Sequence, residues 1–116
     1  MKTKIKEGQV ILHGECMVFL STIPADAVKL NSNGPFQIVA PSETTGNHHV
    51  VDLKEGVQFY QGTNGTLYMT TDVDTAIRCV VDSRHDAIVL PAGQTYEFGS
   101  QMEYDPFTAR QNKVRD

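Results

Sequence analysis

Tryptophan is absent from this 116-residue chain, cysteine occurs only twice, and aromatic residues make up 8%. A core must therefore rest on Val, Ile, Leu, Phe and Tyr, which favours modest packed sheets over one large cavity. Cys16 and Cys79 lie far apart and inside apolar runs. A disulfide framework or a zinc clip would need closer pairs, so both read as buried, reduced thiols acting as small hydrophobes. No apolar run approaches the ~20 residues of a membrane span, and no signal-peptide core follows the basic start. The sequence thus reads as intracellular in origin. Positive charge is also scarce: Lys and Arg number 10 against 14 Asp and Glu, a net charge of −4. That argues against general affinity for nucleic acid or an anionic membrane, both of which need a concentrated basic surface.

Long stretches of helical period are missing as well. Only Ile23–Leu30 and the tail Phe107–Val114 could hold short helices. The length suits one domain of about 100–150 residues, large enough to bury a core unaided. Short apolar runs separated by turn residues dominate instead. Strands are expected at Val10–Leu12, Met17–Leu20, Phe36–Ala40, His49–Leu53, Ala76–Val81, Ala87–Leu90 and Thr95–Phe98. Val57–Tyr60 and Leu67–Thr70 flank Asn64-Gly65, a pair that tolerates the positive φ of hairpin turns. The fold class predicted is all-β: a single compact antiparallel sandwich or small barrel with extended termini. Residues 1–8 form a basic N-terminal arm, 9–100 the β domain, and 101–116 a C-terminal arm.

The arms carry the charge pattern. Lys2, Lys4 and Lys6 alternate, so an extended chain points all three ammonium groups to one side. They read as a solvated edge that discourages aggregation or as a docking surface for an acidic neighbour. The tail holds Arg110, Lys113 and Arg115 with only Phe107 and Val114 as apolar contacts. It reads as a solvated tail or as an arm that orders against a partner.

Chemistry is harder to find. Adjacent His48 and His49 point to opposite faces of a strand and cannot easily chelate one metal together. His49 with His85 and Glu43 or Asp82 could form a mixed nitrogen and oxygen site acceptable to zinc, and His13 and His48 are further candidate ligands. There is no Gly-x-Ser-x-Gly elbow. Gly62-Thr63-Asn64-Gly65 lacks the Lys-Ser/Thr end of a phosphate loop. Glu97, Glu103 and Asp105 read as turn and surface carboxylates. No reaction class emerges, so the expectation is a binding protein, not an enzyme, with no cofactor.

Two blocks suggest a family. Glu43-Thr44-Thr45-Gly46-Asn47-His48-His49-Val50-Val51 resembles a Glu-x-Thr-Gly-His-x-His-x-Ile block. Met102-Glu103-Tyr104-Asp105-Pro106, with Arg110 and Val114-Arg115-Asp116, resembles an Arg-Glu-Tyr-x-Pro block with a basic ending. Both occur in this order in a family of small phage- and prophage-encoded proteins. Between them the family has a Leu-Pro-x-Gly-x-Tyr turn, matched by Leu90-Pro91-Ala92-Gly93-Gln94-Thr95-Tyr96 with one extra residue. The chain departs at Asn47 and at Asp82-Ser83-Arg84-His85, where each histidine pair of the family has lost its leading imidazole.

A degenerate site on a retained fold implies that the fold itself is useful. The resemblance implies a capsid decoration or cement protein on the outer surface of the virion, made in the host cytoplasm. Its partner would be the major capsid protein, and it would be a homo-oligomer, trimer or dimer, with no nucleic acid or membrane partner. Lys2, Lys4, Lys6, Phe107, Arg110, Lys113, Val114 and Arg115 would make the contacts. The alternatives are a metal-binding, cupin-like module or small enzyme using His49, His85 and Glu43, and a phage accessory protein that binds a host factor.

Overall fold

In a computed structural model, residues 9–13, 16–31, 33–40, 48–80 and 87–100 are described. They contain ten strands and no helix. β1 (Val10–His13) and β2 (Cys16–Leu20) form an antiparallel pair, and β3 (Val28–Lys29) follows after a turn. β4 (Phe36–Ala40), β5 (His49–Asp52), β6 (Val57–Gln61) and β7 (Leu67–Thr71) come next. β8 (Thr75–Cys79), β9 (Ile88–Leu90) and β10 (Thr95–Ser100) complete the described chain.

These strands make two antiparallel sheets. One runs β1-β2-β10-β7-β6-β3 and the other β4-β5-β8-β9. The architecture is the expected all-β sandwich. Burial alternates along the strands as a two-sided sheet requires: Thr75, Ile77 and Cys79 are buried, while Ala76 and Arg78 are half-exposed. The inward residues form one core in which Val18, Phe59, Met69, Ile77, Leu90 and Tyr96 have almost no exposed surface. Phe59 and Phe98 lean together at a ring separation of 6.0 Å.

The possible helix at Ile23–Leu30 is not formed. The Ala27 amide donates to the Pro24 carbonyl (3.0 Å), closing a turn, and Val28–Lys29 then pairs with β6. Ala25 and Asp26 are the central residues of that turn, and the two-residue strand that follows is exposed, with no apolar face to hold a helix. The hairpin between β6 and β7 forms where expected, but only Gly65 takes positive φ (+89°). Its amide donates to Gly62 O (2.9 Å), and Gly62 N donates to Thr66 O (2.9 Å), so the loop is a tight turn finished by a left-handed glycine.

One end of the sandwich is held by Tyr96. Its hydroxyl donates to the Pro91 carbonyl at 2.6 Å from inside the core. Nearby, the Gly93 amide donates to Thr71 O (2.9 Å) and the Ala92 amide to an Asp74 carboxylate oxygen (2.9 Å). The Leu-Pro-x-Gly turn is thus fastened to the β7–β8 connection.

Candidate functional site

The strand ends opposite Tyr96 carry two of the sequence-predicted ligands, His48 and His49. His49 opens β5 and is 9% exposed. Its neighbour Val51 belongs to the core, and period two places His49 on that same inner face. Register sets it opposite Ala40 of β4 on one side and Cys79 of β8 on the other. Three strands therefore bring a small residue, an imidazole and a thiol into one row at the edge of the core. His48 precedes the strand, and its carbonyl accepts from the Val80 amide at 2.9 Å, closing the row from outside.

Both loops that hold the other proposed ligands spring from this row, one after Ala40 and one after Val80. Glu43, Asp82 and His85 themselves lie outside the described residues, and no side-chain position is described for His13. Among the described residues, no three His, Cys, Asp or Glu side chains gather in a way that would hold a metal ion. The residues that could serve a metal at this end are His49 and Cys79, a borderline-soft nitrogen and sulfur pair of the kind zinc accepts.

Cys79 went unrecognised in the sequence because its partner is set by register alone. The alternation His49-Val50-Val51 against Ile77-Arg78-Cys79 is visible, but nothing in it says which residues face each other. The other cysteine, Cys16, is fully buried in β2, and burial pushes its thiol up to about 12. It stays protonated at neutral pH and cannot act as a nucleophile there.

The outer face of the smaller sheet carries a second polar constellation. Arg78 grips Asp52 through two nitrogens, Nη2 at 2.7 Å and Nε at 3.1 Å, while its guanidinium carbon lies 5.8 Å from the centroid of the Phe36 ring. Hydrogen bonding to Arg78 holds the Asp52 carboxyl below its ordinary range. Val50, opposite Arg78 in register, is fully buried on this face. The cluster packs and orients the sheet surface. It contains no base or nucleophile poised for proton transfer.

An open cleft of about 350 Å³ lies where β3 leaves β6, lined by Leu30, Leu53, Val57 and Phe59 with Asn31 and Lys54. The amide of Gln58 at this cleft already donates to Leu30 O and Phe59 O, both at 2.9 Å. Among the described residues that line it, Lys54 is the only charged one.

The expected contact residues Lys2, Lys4, Lys6, Phe107, Arg110, Lys113, Val114 and Arg115 all lie outside the described residues, as do both arms, 1–8 and 101–116. The sheet does show where the described chain meets them. β1 begins at Val10, opposite Phe19, and β10 ends at Ser100, opposite Cys16, so the two segments join opposite ends of the strands that border β2.

No curated protein and no solved structure matches the chain. One family model does, described as a domain of unknown function (DUF8820), over residues 12–101. The matched stretch starts inside β1, stops just past β10 and takes in both sheets, well over half of the chain. The chain belongs to the DUF8820 family.

Proposed function

We propose that the protein is a phage virion structural protein, a capsid decoration or cement protein that binds the head lattice and stabilises it. The observation that carries this reading is the attachment of the two charged ends. Segment 1–8, with Lys2, Lys4 and Lys6, enters at one end of the β1-β2-β10 unit. Segment 101–116, with Arg110, Lys113 and Arg115, leaves at the other. A rigid sandwich with a basic arm at one end of this unit and a tail carrying both signs of charge at the other is suited to bridging neighbours. The Glu-x-Thr-Gly and Glu-Tyr-x-Pro blocks support the phage assignment by resemblance, with the major capsid protein as partner.

Each exposed ion pair between an arm and the shell adds only ~0.2–1 kcal/mol, so affinity would come from many copies and from Phe107 and Val114 burying apolar area. Mass spectrometry of purified virions and empty heads tests the reading. The expected result is a copy number comparable to that of the capsid subunit. Absence of the chain from both particles would sink it.

A second reading is favoured by the row Ala40, His49 and Cys79. It makes the β4–β5 and β8–β9 loops, with Glu43 and His85, the rim of a metal site in a cupin-like module. Elemental analysis of protein purified without chelators decides between the two. A full equivalent of a transition metal, lost in a His49→Ala variant, would establish this second reading.

A further inference from the structure

A sheet edge offers a row of backbone N–H and C=O groups to any passing strand, and proteins blunt such edges with short strands, charge, proline or bulges. The four outer strands of this sandwich are treated unequally. β3 has two residues and ends in Lys29, and β9 has three. β4 is interrupted by a register shift between Ile38 and Ala40. β1 has none of these protections. Its Val10, Ile11, Leu12 and His13 pair with β2 in unbroken register, with no proline and no acidic or basic carbon chain among the first three. Among the described residues, no strand pairs with its outer edge.

The side chains of β1 point the same way. Val10 is 43% exposed and Leu12 51%, both on the outer face. Met17 and Phe19, opposite them on β2, are half-buried, so the apolar surface continues one strand inward. Elsewhere a chain of net charge −4 repels its own copies. Val10, Ile11 and Leu12 carry no charge, so self-approach is least opposed here.

We infer that β1 is the contact strand of a homodimer, pairing antiparallel with β1 of a second copy across a twofold axis. Such a contact is isologous: each copy gives the same patch to the other. Val10 and Leu12 of the two copies meet on the outer face, and the two larger sheets become continuous. Four paired residues a side fall short of the ~1,000 Å² that a tight interface buries, so the dimer is reversible and depends on concentration.

This inference deepens the oligomeric part of the capsid reading, and the two fail separately. A monomeric chain found in heads sinks only the dimer, whereas a dimeric chain missing from heads sinks only the decoration role.

The test is sedimentation equilibrium on the full chain over a range of concentrations. The wild type is expected to move from the 12.8 kDa monomer towards twice that mass. Leu12→Lys and Leu12→Glu, each placing like charges near each other across the axis, are expected to remain monomeric. An equimolar mixture of the two variants is expected to dimerise again, which misfolded variants could not do. Val28→Lys, on the opposite edge at 65% exposure, is expected to dimerise like the wild type. Hydrogen exchange of those wild-type amides in 10–13 that point away from β2 should slow as concentration rises.

A wild type that stays monomeric up to about 1 mM, the weakest association of interest, overturns the inference. So does a dimer indifferent to both Leu12 variants. A monomer in which the β1 amides that point away from β2 are protected at every concentration also overturns it, because another segment of the same chain then occupies the edge.

Discussion

His49 and Cys79 stand opposite each other across the β5–β8 ladder, both on the inner face of the smaller sheet and both more than nine-tenths buried. Directly paired residues hold their Cβ atoms about 4.5–5.5 Å apart, so imidazole and thiol are neighbours shielded from solvent. Cys16 is shielded more completely still. An aromatic disulfide reagent added to native protein at pH 8 should therefore label neither thiol within minutes, and both in guanidinium. Prompt release of two equivalents from the native protein would contradict the described burial.

Alkaline pH should weaken the fold in two stages. Burial holds the Cys16 thiol and the Tyr96 phenol each up to about 12. In the unfolded chain both titrate near their ordinary values, about 8.5 for Cys and about 10 for Tyr. The unfolded state then binds fewer protons than the folded one, so stability falls as pH rises through that interval. The first loss, starting near pH 9, belongs to Cys16, and the second, above about pH 10, adds Tyr96. Chemical denaturation at several pH values should show Cys16→Ala flattening the early part and Tyr96→Phe the later part. A slope above about pH 10 remains in Tyr96→Phe, because Cys16 is still protonated only in the folded state there and burial also raises Tyr68. At neutral pH, Tyr96→Phe leaves the Pro91 carbonyl without its partner and should cost about 1–3 kcal/mol. Unchanged profiles in both variants would show that neither group is buried as described.

Acid acts on a different pair. The Arg78 hydrogen bond depresses Asp52, so its contribution is present above about pH 4, the unfolded value, and is lost as pH falls through the lower folded value. The two side chains are 37% and 46% exposed, and water screens them. Asp52→Asn should thus cost no more than ~1 kcal/mol at pH 7. The difference from wild type should shrink as pH drops below about 4, because Asp52 takes up its proton as pH falls through its lowered folded value. Arg78→Lys should lose more than a charge-for-charge exchange suggests, because lysine can neither fork onto Asp52 nor lie flat over Phe36. Thermal melts on either side of about pH 4 check this, and a Lys variant as stable as wild type would contradict it.

Local pattern made most of the strands legible. Phe36–Ala40 was readable to the residue because Pro35 and Pro41 bracket it, and the β6–β7 hairpin because alternation flanks Asn64-Gly65. β3 was not. Two exposed residues carry no period, and Pro24 with Ala25 and Asp26 looks like a helix start until the turn hydrogen bond is seen. Nor could the sequence order the sheet. β10 sits between β2 and β7, a pairing made by contacts some eighty residues apart in the chain for β2, and no local signal encodes it. The same limit hid the site. His48 and His49 were separable by strand period, but the partnership of His49 with Cys79 depends on which residues of β5 and β8 align. The open edge at β1 likewise becomes visible only once β1 is known to be outermost.

Two turn glycines separate backbone strain from packing. Gly65 (φ +89°) and Gly93 (φ +86°) both adopt the left-handed conformation, and a Cβ added to either would meet no atom within 4 Å. Any cost of Ala there comes from the backbone alone, about 1–2 kcal/mol. Gly56 (φ +96°) has the same backbone strain, but its added Cβ would lie 3.3 Å from a Val73 methyl, so Ala there meets strain and crowding together. The expected order of destabilisation is Gly56→Ala largest, with Gly65→Ala and Gly93→Ala smaller and similar. Asn at positions 65 and 93 should recover part of the loss, since its short polar side chain tolerates this region, while Asn at 56 should not. Denaturant midpoints for the six variants measure the ordering, and a Gly93→Ala protein as stable as wild type would mean that the Leu-Pro-x-Gly turn is not left-handed at its glycine.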